Sequence, residues 1–210
     1  MNIKQINSIL FTLSKKYKSP KTELKFINPF TFLVAVVLSA QSTDISVNKA
    51  TKKLYQIVKT PQDMVNLGQQ KLKKYIKTIG LSNTKARNII SLSKILINEY
   101  NSNIPKDIKS LTSLPGVGQK TASVYQNVIL KLPKIAVDTH VFRVSNRMGI
   151  VKEKTANKVQ EKLEKIIPYK WKYKAHHLFI LHGRQVCKAR NPLCKMCSVS
   201  LICKYPFKLK

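Results

Sequence analysis

Acidic residues are scarce in this sequence. Nine Asp and Glu stand against 39 Lys and Arg in a chain of 210 residues, and the formal net charge is +30. Because so large an excess of one sign repels itself in the folded state, a polyanionic partner is the simplest compensation. A general bias toward lysine accounts for part of the excess. The charge therefore favours nucleic acid as the partner, with an anionic membrane surface as the second choice.

The sequence also lacks a long apolar segment. The longest run, FTFLVAVVLSA at 30–40, is shorter than the ~20 residues that a helix needs to span a bilayer. At the amino terminus the apolar residues fall at helical spacing instead of forming a signal-peptide core, at Ile3, Ile6, Leu10 and Leu13. This segment contains no arginine, which disfavours a mitochondrial transit peptide. We expect a soluble, intracellular protein.

Strand signals are absent as well. The sequence contains no alternating pair of segments joined by a hairpin turn, no internal repeat and no disordered linker. Helix signals are frequent: Asn28 can cap a helix that begins at Pro29, and Thr60 with Pro61 repeats that pattern. The apolar spacing over 83–100 is typical of a long amphipathic helix. We predict an all-α fold, for which the pattern alone gives no domain boundary.

The segment LPGVG, at 114–118, lies between two predicted helices. Gly116 and Gly118 can adopt positive φ angles at little cost, and their missing side chains allow another backbone to approach. The N–H groups of the turn and of the helix that begins near Gly118 are expected to point outward unpaired and to bind a phosphate. Such a contact fixes a protein on DNA without reading its sequence. A plain helix–helix turn with glycine caps explains the same five residues.

Lys120 lies in the first turn of the helix that follows this hairpin. A helix N-terminus disfavours the ammonium form of a lysine, and the surrounding positive charge acts in the same direction. An uncharged lysine amine can attack an electrophilic carbon and form a Schiff base. The alternative is that Lys120 is one more basic residue on a basic surface.

Asp138 follows three apolar residues in IAVDTHVFR. An aspartate in this position is typical of an N-cap, here for a helix that starts at Thr139. The same carboxylate can serve as a general base and stabilise a developing cation. The two roles are compatible.

Four cysteines lie within the last 24 residues, in the pattern C-x6-C-x2-C-x5-C, at Cys187, Cys194, Cys197 and Cys203. Disulfides are not expected in an intracellular chain. Four clustered thiolates suit either a [4Fe–4S] cluster or zinc. Zinc sites usually use two short Cys pairs, and only one such pair is present, so the spacing favours iron and sulfur. A cluster that only braces the tail is the simplest structural role.

Several of these motifs occur together in an order that resembles one family. LPGVGQKTA, AVDTHVFRVSNR, LHGRQVCKAR and the cysteine pattern are similar to the endonuclease III family, the bifunctional DNA glycosylases and abasic-site lyases of the helix–hairpin–helix superfamily. The resemblance covers nearly the whole chain, from TELKFINPF through LSAQSTDISVNKATKKLY and KTIGLSNTKA to the cysteines.

The resemblance implies a two-domain all-α protein with DNA in the cleft between the domains. Residues 22–132 would form a six-helix domain that contains the helix–hairpin–helix at about 108–127, and 1–21 with 133–210 would form the iron–sulfur cluster domain. It also implies roles for single residues. Lys120 would be the nucleophile, Asp138 the catalytic aspartate and the four cysteines the cluster ligands; Gly116, Val117 and Gly118 would contact the DNA backbone; Gln41 and Leu81 would fill the gap left by an extruded nucleotide.

The chain departs from the family at one hairpin position, where Gln119 stands in place of a basic residue that is common there. This departure removes one expected phosphate contact and leaves the chemistry unchanged. Without the resemblance, Gln41 and Leu81 would be explained as a polar helix end and an exposed loop leucine.

The function that the resemblance implies is base excision repair. The substrate would be duplex DNA with an oxidised pyrimidine or an abasic site, the enzyme a monomer of the bacterial cytoplasm, associated with the nucleoid through DNA, without any membrane partner. Two rivals stay open: an adenine-mismatch glycosylase, which lacks a nucleophilic hairpin lysine, and a non-catalytic iron–sulfur DNA-binding module. Lys120 argues against the first rival, and the pair of Lys120 and Asp138 argues against the second, because DNA binding alone does not require that pair.

Overall fold

The structure, a computed structural model, describes residues 1–18 and 20–206. Within those residues it contains no strand, and the predicted all-α fold is confirmed. The described elements are α1 (Ile3–Lys16), α2 (Pro29–Leu38), α3 (Asp44–Ile57), α4 (Pro61–Leu67), α5 (Gln69–Tyr75), α6 (Ser82–Tyr100), α7 (Ile108–Ser113), α8 (Gln119–Val128), α9 (Thr139–Arg147), α10 (Ala156–Ile166), α11 (Tyr169–Gln185) and a short 3-10 helix (Cys194–Met196).

The predicted helix starts follow from local side-chain chemistry. The Asn28 side chain accepts a hydrogen bond from the Thr31 N–H, and the Thr60 hydroxyl does the same for the Asp63 N–H. Each cap precedes a proline in the first helical turn, where no N–H is needed. Helix α8 ends at Val128, five residues before Pro133.

The chain divides into two compact units. Unit 1 comprises Met1–Thr22 and the chain from Lys131 onward, and unit 2 comprises Glu23–Leu130. Unit 2 holds seven helices, α2 to α8, where the resemblance implied six; a single residue, Gly68 at φ +78°, separates α4 from α5.

In unit 2 the central element is α2. All its residues from Phe30 to Leu38 are buried, and α3, α6 and α8 pack against it. A helix that is apolar on every side must lie inside its domain. The elements that carry the hairpin and the two short loops at Gln41 and Leu81 are therefore built around one buried helix.

In unit 1 the core joins α1 to the helices from the second half of the chain. Ile6, Ile9, Leu10 and Leu13 are buried against residues of α9, α10 and α11. Ile3, which was predicted on this face, is exposed, and Ile9 takes its place. No helix in the described ranges is long and apolar enough to cross a membrane.

Candidate nucleic-acid interface and metal centre

Two buried side chains anchor the hairpin between α7 and α8 in the interior of unit 2. The side chains of Leu114 and Val117 are buried, and the Val117 N–H donates to the Leu114 carbonyl at 3.0 Å. The prediction that all the N–H groups of the turn are unpaired is therefore wrong for Val117. A DNA contact at this residue is left to its carbonyl group or to the backbone on either side.

The two hairpin glycines differ in conformation and surroundings. Gly116 has φ +82°, and a Cβ added there would lie 3.2 Å from the Asn88 side chain and 3.3 Å from that of Val37. Gly118 has φ −88°, and an added Cβ would meet no protein atom within 4 Å. Of the two glycines, Gly116 uses the positive φ that glycine permits and Gly118 does not. Packing and backbone geometry require glycine at 116 and do not require it at 118.

Helix α8 begins directly after Gly118. The Ala122 N–H donates to the Gly118 carbonyl at 3.0 Å, which is the first bond of the helix, and Gly118 offers no side-chain acceptor. The first N–H groups of a helix have no partner within it, so those of Gln119 and Lys120 face the helix end. The Lys120 side chain is exposed in this first turn. The arrangement combines an anion-binding helix end with an accessible amine.

Gln41 and Leu81 lie in two neighbouring loops of unit 2. Both residues have left-handed backbones, with φ +54° for Gln41 and +60° for Leu81. Both are exposed, and 59% of Leu81 is accessible to solvent. A Cβ built on Gly80 lies 3.9 Å from the Gln41 carbonyl oxygen. The structure therefore brings together two residues that are 40 positions apart in the sequence.

Lys85 connects to the same loops and was missed by the sequence analysis. Its side chain is only 5% exposed, and its ammonium donates to the carbonyls of Leu38 and Ala40 and to the Ser42 hydroxyl. One signal was available. Lys85 shares the buried stripe of α6 with Ile89, a position at which a solvated lysine is not expected.

Asp138 is the N-cap of α9, as predicted. Its Oδ1 accepts a hydrogen bond of 2.7 Å from the Val141 N–H, and the residue is half-buried. This bond uses one lone-pair direction of one oxygen, so a carboxylate keeps further acceptor capacity. The cap fixes the carboxylate in place and is compatible with a second, chemical role.

Further along α9, two arginines bind the segment around Cys187. Arg143 donates from Nε to the Cys187 carbonyl at 3.0 Å, and Arg147 donates to the carbonyls of Lys188 and Ala189 at 2.6 and 2.9 Å. One Arg147 nitrogen also lies 3.8 Å from the Cys187 sulfur. The two arginines are one helical turn apart and lie on one face of α9.

The four cysteines are half-buried free thiols, and they line one small cavity together with Arg147 and His182. Burial raises the pKa of the Cys197 thiol, and the thiols of Cys203, Cys187 and Cys194 act in the same direction. Within the described residues, no three His, Cys, Asp or Glu side chains are spaced to hold a single metal ion. Four thiols converging on one cavity fit a group with several positive centres, which would offset the repulsion between thiolates.

The motif LHGR supplies two supports of this region that sequence reasoning did not assign. His182 is fully buried, and its Nε2 lies 3.7 Å from the Cys197 sulfur. A Cβ on Gly183 would lie 3.0 Å from the Cβ of His140, so glycine allows α11 to pack closely on α9. Both roles depend on contacts between distant segments, which a single sequence does not reveal.

Comparison with known proteins places these features in a family. The HhH-GPD superfamily of base excision DNA repair proteins matches residues 34–169. Endonuclease III of Rickettsia conorii is 53% identical over all of both chains, and endonuclease III of Escherichia coli K12 is 48% identical over 100% of this chain and 99% of its own. The chain belongs to the endonuclease III family.

Solved structures of endonuclease III agree with this assignment. A trapped covalent intermediate of endonuclease III with DNA has a TM-score of 0.92 at 42% identity, over 98% of this chain and 97% of the other. A non-covalent endonuclease III–DNA complex has the same score and identity, with 98% and 96% coverage. A thermostable thymine-DNA glycosylase, at 24% identity and a TM-score of 0.87, shares the fold.

Proposed function

We propose that this endonuclease III family member removes oxidised pyrimidines from duplex DNA and cleaves the abasic site through a Schiff base on Lys120. The class of enzyme follows from the family: a base excision repair protein that acts on damaged DNA as a glycosylase and abasic-site lyase. The type of lesion and the roles of individual residues are proposed in addition to this class. Each is supported by a separate feature of the described residues.

The observation that carries the proposal is Gly118. Neither its φ of −88° nor any neighbouring atom requires glycine, yet it lies at the open end of α8, two residues before Lys120. A side chain there would project into the space that a phosphate needs to reach the first N–H groups of the helix. A DNA backbone bound at this end would place a deoxyribose within reach of the exposed Lys120 amine.

From this position the Lys120 amine would react with the damaged nucleotide in the following steps. The Lys120 nitrogen attacks C1′ of the deoxyribose, the bond from C1′ to the base breaks, and the base leaves with that electron pair and gains a proton. Opening of the sugar ring leaves a protonated imine at C1′. The imine acidifies the C2′ hydrogen, and loss of that proton expels the 3′ phosphate. Water hydrolyses the imine and regenerates the amine.

Asp138 is proposed as the carboxylate for these proton transfers. A general base must be fixed in one orientation and must keep a free lone pair. The 2.7 Å cap bond to the Val141 N–H supplies the first condition, and the remaining acceptor positions supply the second. The carboxylate would also stabilise positive charge that develops at the sugar.

Gln41 and Leu81 are proposed to occupy the space that an extruded nucleotide leaves in the duplex. Both are exposed and lie in adjacent loops of one unit. An oxidised or ring-saturated pyrimidine stacks poorly, so extruding it costs less free energy than extruding a normal base. A polar side chain and an apolar one would replace the lost hydrogen bonds and stacking, respectively.

The four cysteines are proposed to hold a [4Fe–4S] cluster, whose contribution is to fix the 187–203 segment. Arg143 and Arg147 would hold the backbone at the first ligand, Cys187, and directly after it. Lys188, Arg190 and Lys195 lie between the ligands in the sequence and Lys204 directly follows the last one, and these residues would offset cluster charge or contact phosphates. Purified protein should contain about four iron and four acid-labile sulfide per chain. Stoichiometric zinc without sulfide would contradict this assignment.

The test of Lys120 is reductive trapping. The protein is incubated with a duplex that contains one abasic site, borohydride is added, and the covalent adduct is measured on a denaturing gel. We expect an adduct with the unaltered chain and none with Lys120→Ala. Lys109→Ala is the matched control, because Lys109 is an exposed lysine on the other helix of the same hairpin.

Each alternative gives a different result in this assay. An unaltered chain that yields no adduct while it releases a base would be a monofunctional glycosylase, such as an adenine-mismatch enzyme. A chain that yields neither product but binds duplex DNA would be a non-catalytic module. An adduct that persists in Lys120→Ala and disappears in another lysine variant would overturn the assignment of the nucleophile only.

A further inference from the structure

A buried cation lies beside the two loops that carry Gln41 and Leu81. Lys85 is in the first turn of α6, and 5% of its side chain is exposed. Its Nζ donates to the Leu38 carbonyl at 2.9 Å, the Ala40 carbonyl at 2.6 Å and the Ser42 hydroxyl at 3.0 Å. An ammonium group has three N–H donors, so every donor has an acceptor.

The acceptors identify what Lys85 stabilises. Leu38 is the last residue of α2, and Ala40 belongs to the turn that follows. Carbonyls at a helix C-terminus have no partner in the helix and form the negative end of its dipole. Lys85 therefore caps α2 from outside its own segment. Burial lowers the pKa of the Lys85 ammonium, and the cap opposes that effect.

The same residue contacts both loops at once. Its side chain binds Ala40 and Ser42, the two residues that flank Gln41. Its backbone N–H donates to the Leu81 carbonyl at 2.9 Å, which is the first hydrogen bond of α6. Lys85 therefore links the two loops, through its backbone to the Leu81 carbonyl and through its side chain to the residues on each side of Gln41.

Both loops need such a support because both are strained. Gln41 and Leu81 have φ angles of +54° and +60°. A residue with a Cβ in this region costs of order 1–2 kcal/mol, and such a conformation persists only where the surroundings hold it. Lys85 supplies contacts on both sides of Gln41 and on the carbonyl of Leu81.

We propose that Lys85 is a positioning residue that fixes the Gln41 loop to the Leu81 turn, so that the two side chains enter a DNA duplex as one unit. The proposal rests on the gap-filling role proposed above for Gln41 and Leu81. Burial alone does not account for a lysine here, since an apolar residue would suit the buried stripe of α6 without the cost of desolvating a charge.

The test uses two substrates that differ in whether a gap exists. In a duplex, the abasic site lies within stacked base pairs and opposite a second strand, so extruding it leaves a gap. A single strand with an abasic site has no such gap. Borohydride trapping on both is compared for the unaltered chain, Lys85→Met and Lys94→Met. Lys94 is an exposed lysine of the same helix and serves as the matched control.

We expect Lys85→Met to lower the initial trapping rate on duplex by at least about tenfold, since small displacements of positioning groups have effects of this size or more. The rate on single-stranded DNA should stay within about twofold of the unaltered chain. The control should match the unaltered chain on both substrates. In a Gln41→Ala background, Lys85→Met should have little further effect on duplex, because the loop it positions has lost its side chain.

Three results would overturn the proposal: an unchanged duplex rate, equal losses on both substrates, and a full additional loss in the Gln41→Ala background. If circular dichroism shows that Lys85→Met does not fold, Ser42→Ala is tested instead. It removes one of the three acceptors and should show a smaller loss confined to the duplex; no such loss would also overturn the proposal. An unaltered chain that traps neither substrate would instead reject the proposed lyase function.

Discussion

In unit 2 the hairpin is held by buried leucine and valine side chains, whereas in unit 1 the 187–203 segment is held by arginine hydrogen bonds and by few buried side chains. Leu114 and Val117 anchor the hairpin on each side of Gly116. In the cysteine segment, by contrast, Val199 is the one residue in the buried class. Buried side chains thus fix the geometry of the hairpin, while the cysteine segment has little burial of its own and would depend on the proposed cluster.

Loss of one thiol should separate the two regions most strongly. In Cys197→Ser we expect the iron content to fall below half of that in the unaltered protein and amide exchange to speed up by orders of magnitude across 187–203, because the segment has little other burial. Exchange in the hairpin should be unchanged. Hydrogen exchange with mass spectrometry measures both, with the exposed Ser198→Ala as control. Equal exchange in the cysteine segments of the two variants would contradict the comparison.

The reverse experiment damages the hairpin. Gly116→Ala places a Cβ at φ +82° and 3.2 Å from Asn88, so we expect a loss of about 2–3 kcal/mol in unfolding free energy. Urea denaturation followed by circular dichroism measures it. Iron content should stay normal in the folded variant. A loss below about 0.5 kcal/mol would show that the turn relaxes and that the anchors do not fix it.

Acid should also distinguish the units, because all four histidines are in unit 1. Burial lowers the pKa of His177 to about 3, with the neighbouring His176 acting in the same direction. The unfolded chain, with a histidine pKa near 6.5, binds this proton more readily. The difference in His177 protonation therefore has no effect on stability above about pH 6.5. As the pH falls from there toward 3, it lowers the free energy of unfolding by at most about 1.4 kcal/mol per pH unit.

The variant His177→Gln removes this titration. Its unfolding free energy should fall less steeply than that of the unaltered chain between pH 6.5 and 4.5, measured by urea denaturation at each pH. Any acid sensitivity of the proposed cluster is common to both proteins and cancels in the difference. Parallel curves would mean that His177 is not kept neutral by burial.

The smallest expected effect on stability is that of Gly118→Ala. No protein atom lies within 4 Å of the added Cβ, but Gly118 is the N-cap of α8, where alanine is less favourable than glycine, so we expect a loss of at most about 1 kcal/mol. Duplex affinity, measured by fluorescence anisotropy, should nevertheless fall by about tenfold through loss of a phosphate contact. Unaltered affinity would show that no DNA backbone approaches this glycine, and would remove the main support for the proposed site.

Some features of the structure are predictable from the sequence and others are not. The caps at Asn28, Thr60 and Asp138 were predictable because each involves residues three apart. The φ of Gly118 was not, since glycine permits a positive angle without requiring one. Lys85 was missed because its Leu38 acceptor is 47 residues away, and a single sequence does not show that the two segments meet.

Helix α9 has Asp138 as its N-cap and carries Arg143 and Arg147 on one face. This spacing restricts insertions and deletions in the helix. Each residue of an α-helix turns the next by about 100°. One residue added between Asp138 and Arg143 would rotate both guanidinium groups away from the carbonyls of 187–189 while leaving the cap intact. The distance in sequence between the carboxylate and the arginines is therefore fixed by helical phase, and substitutions are tolerated there more readily than changes of length.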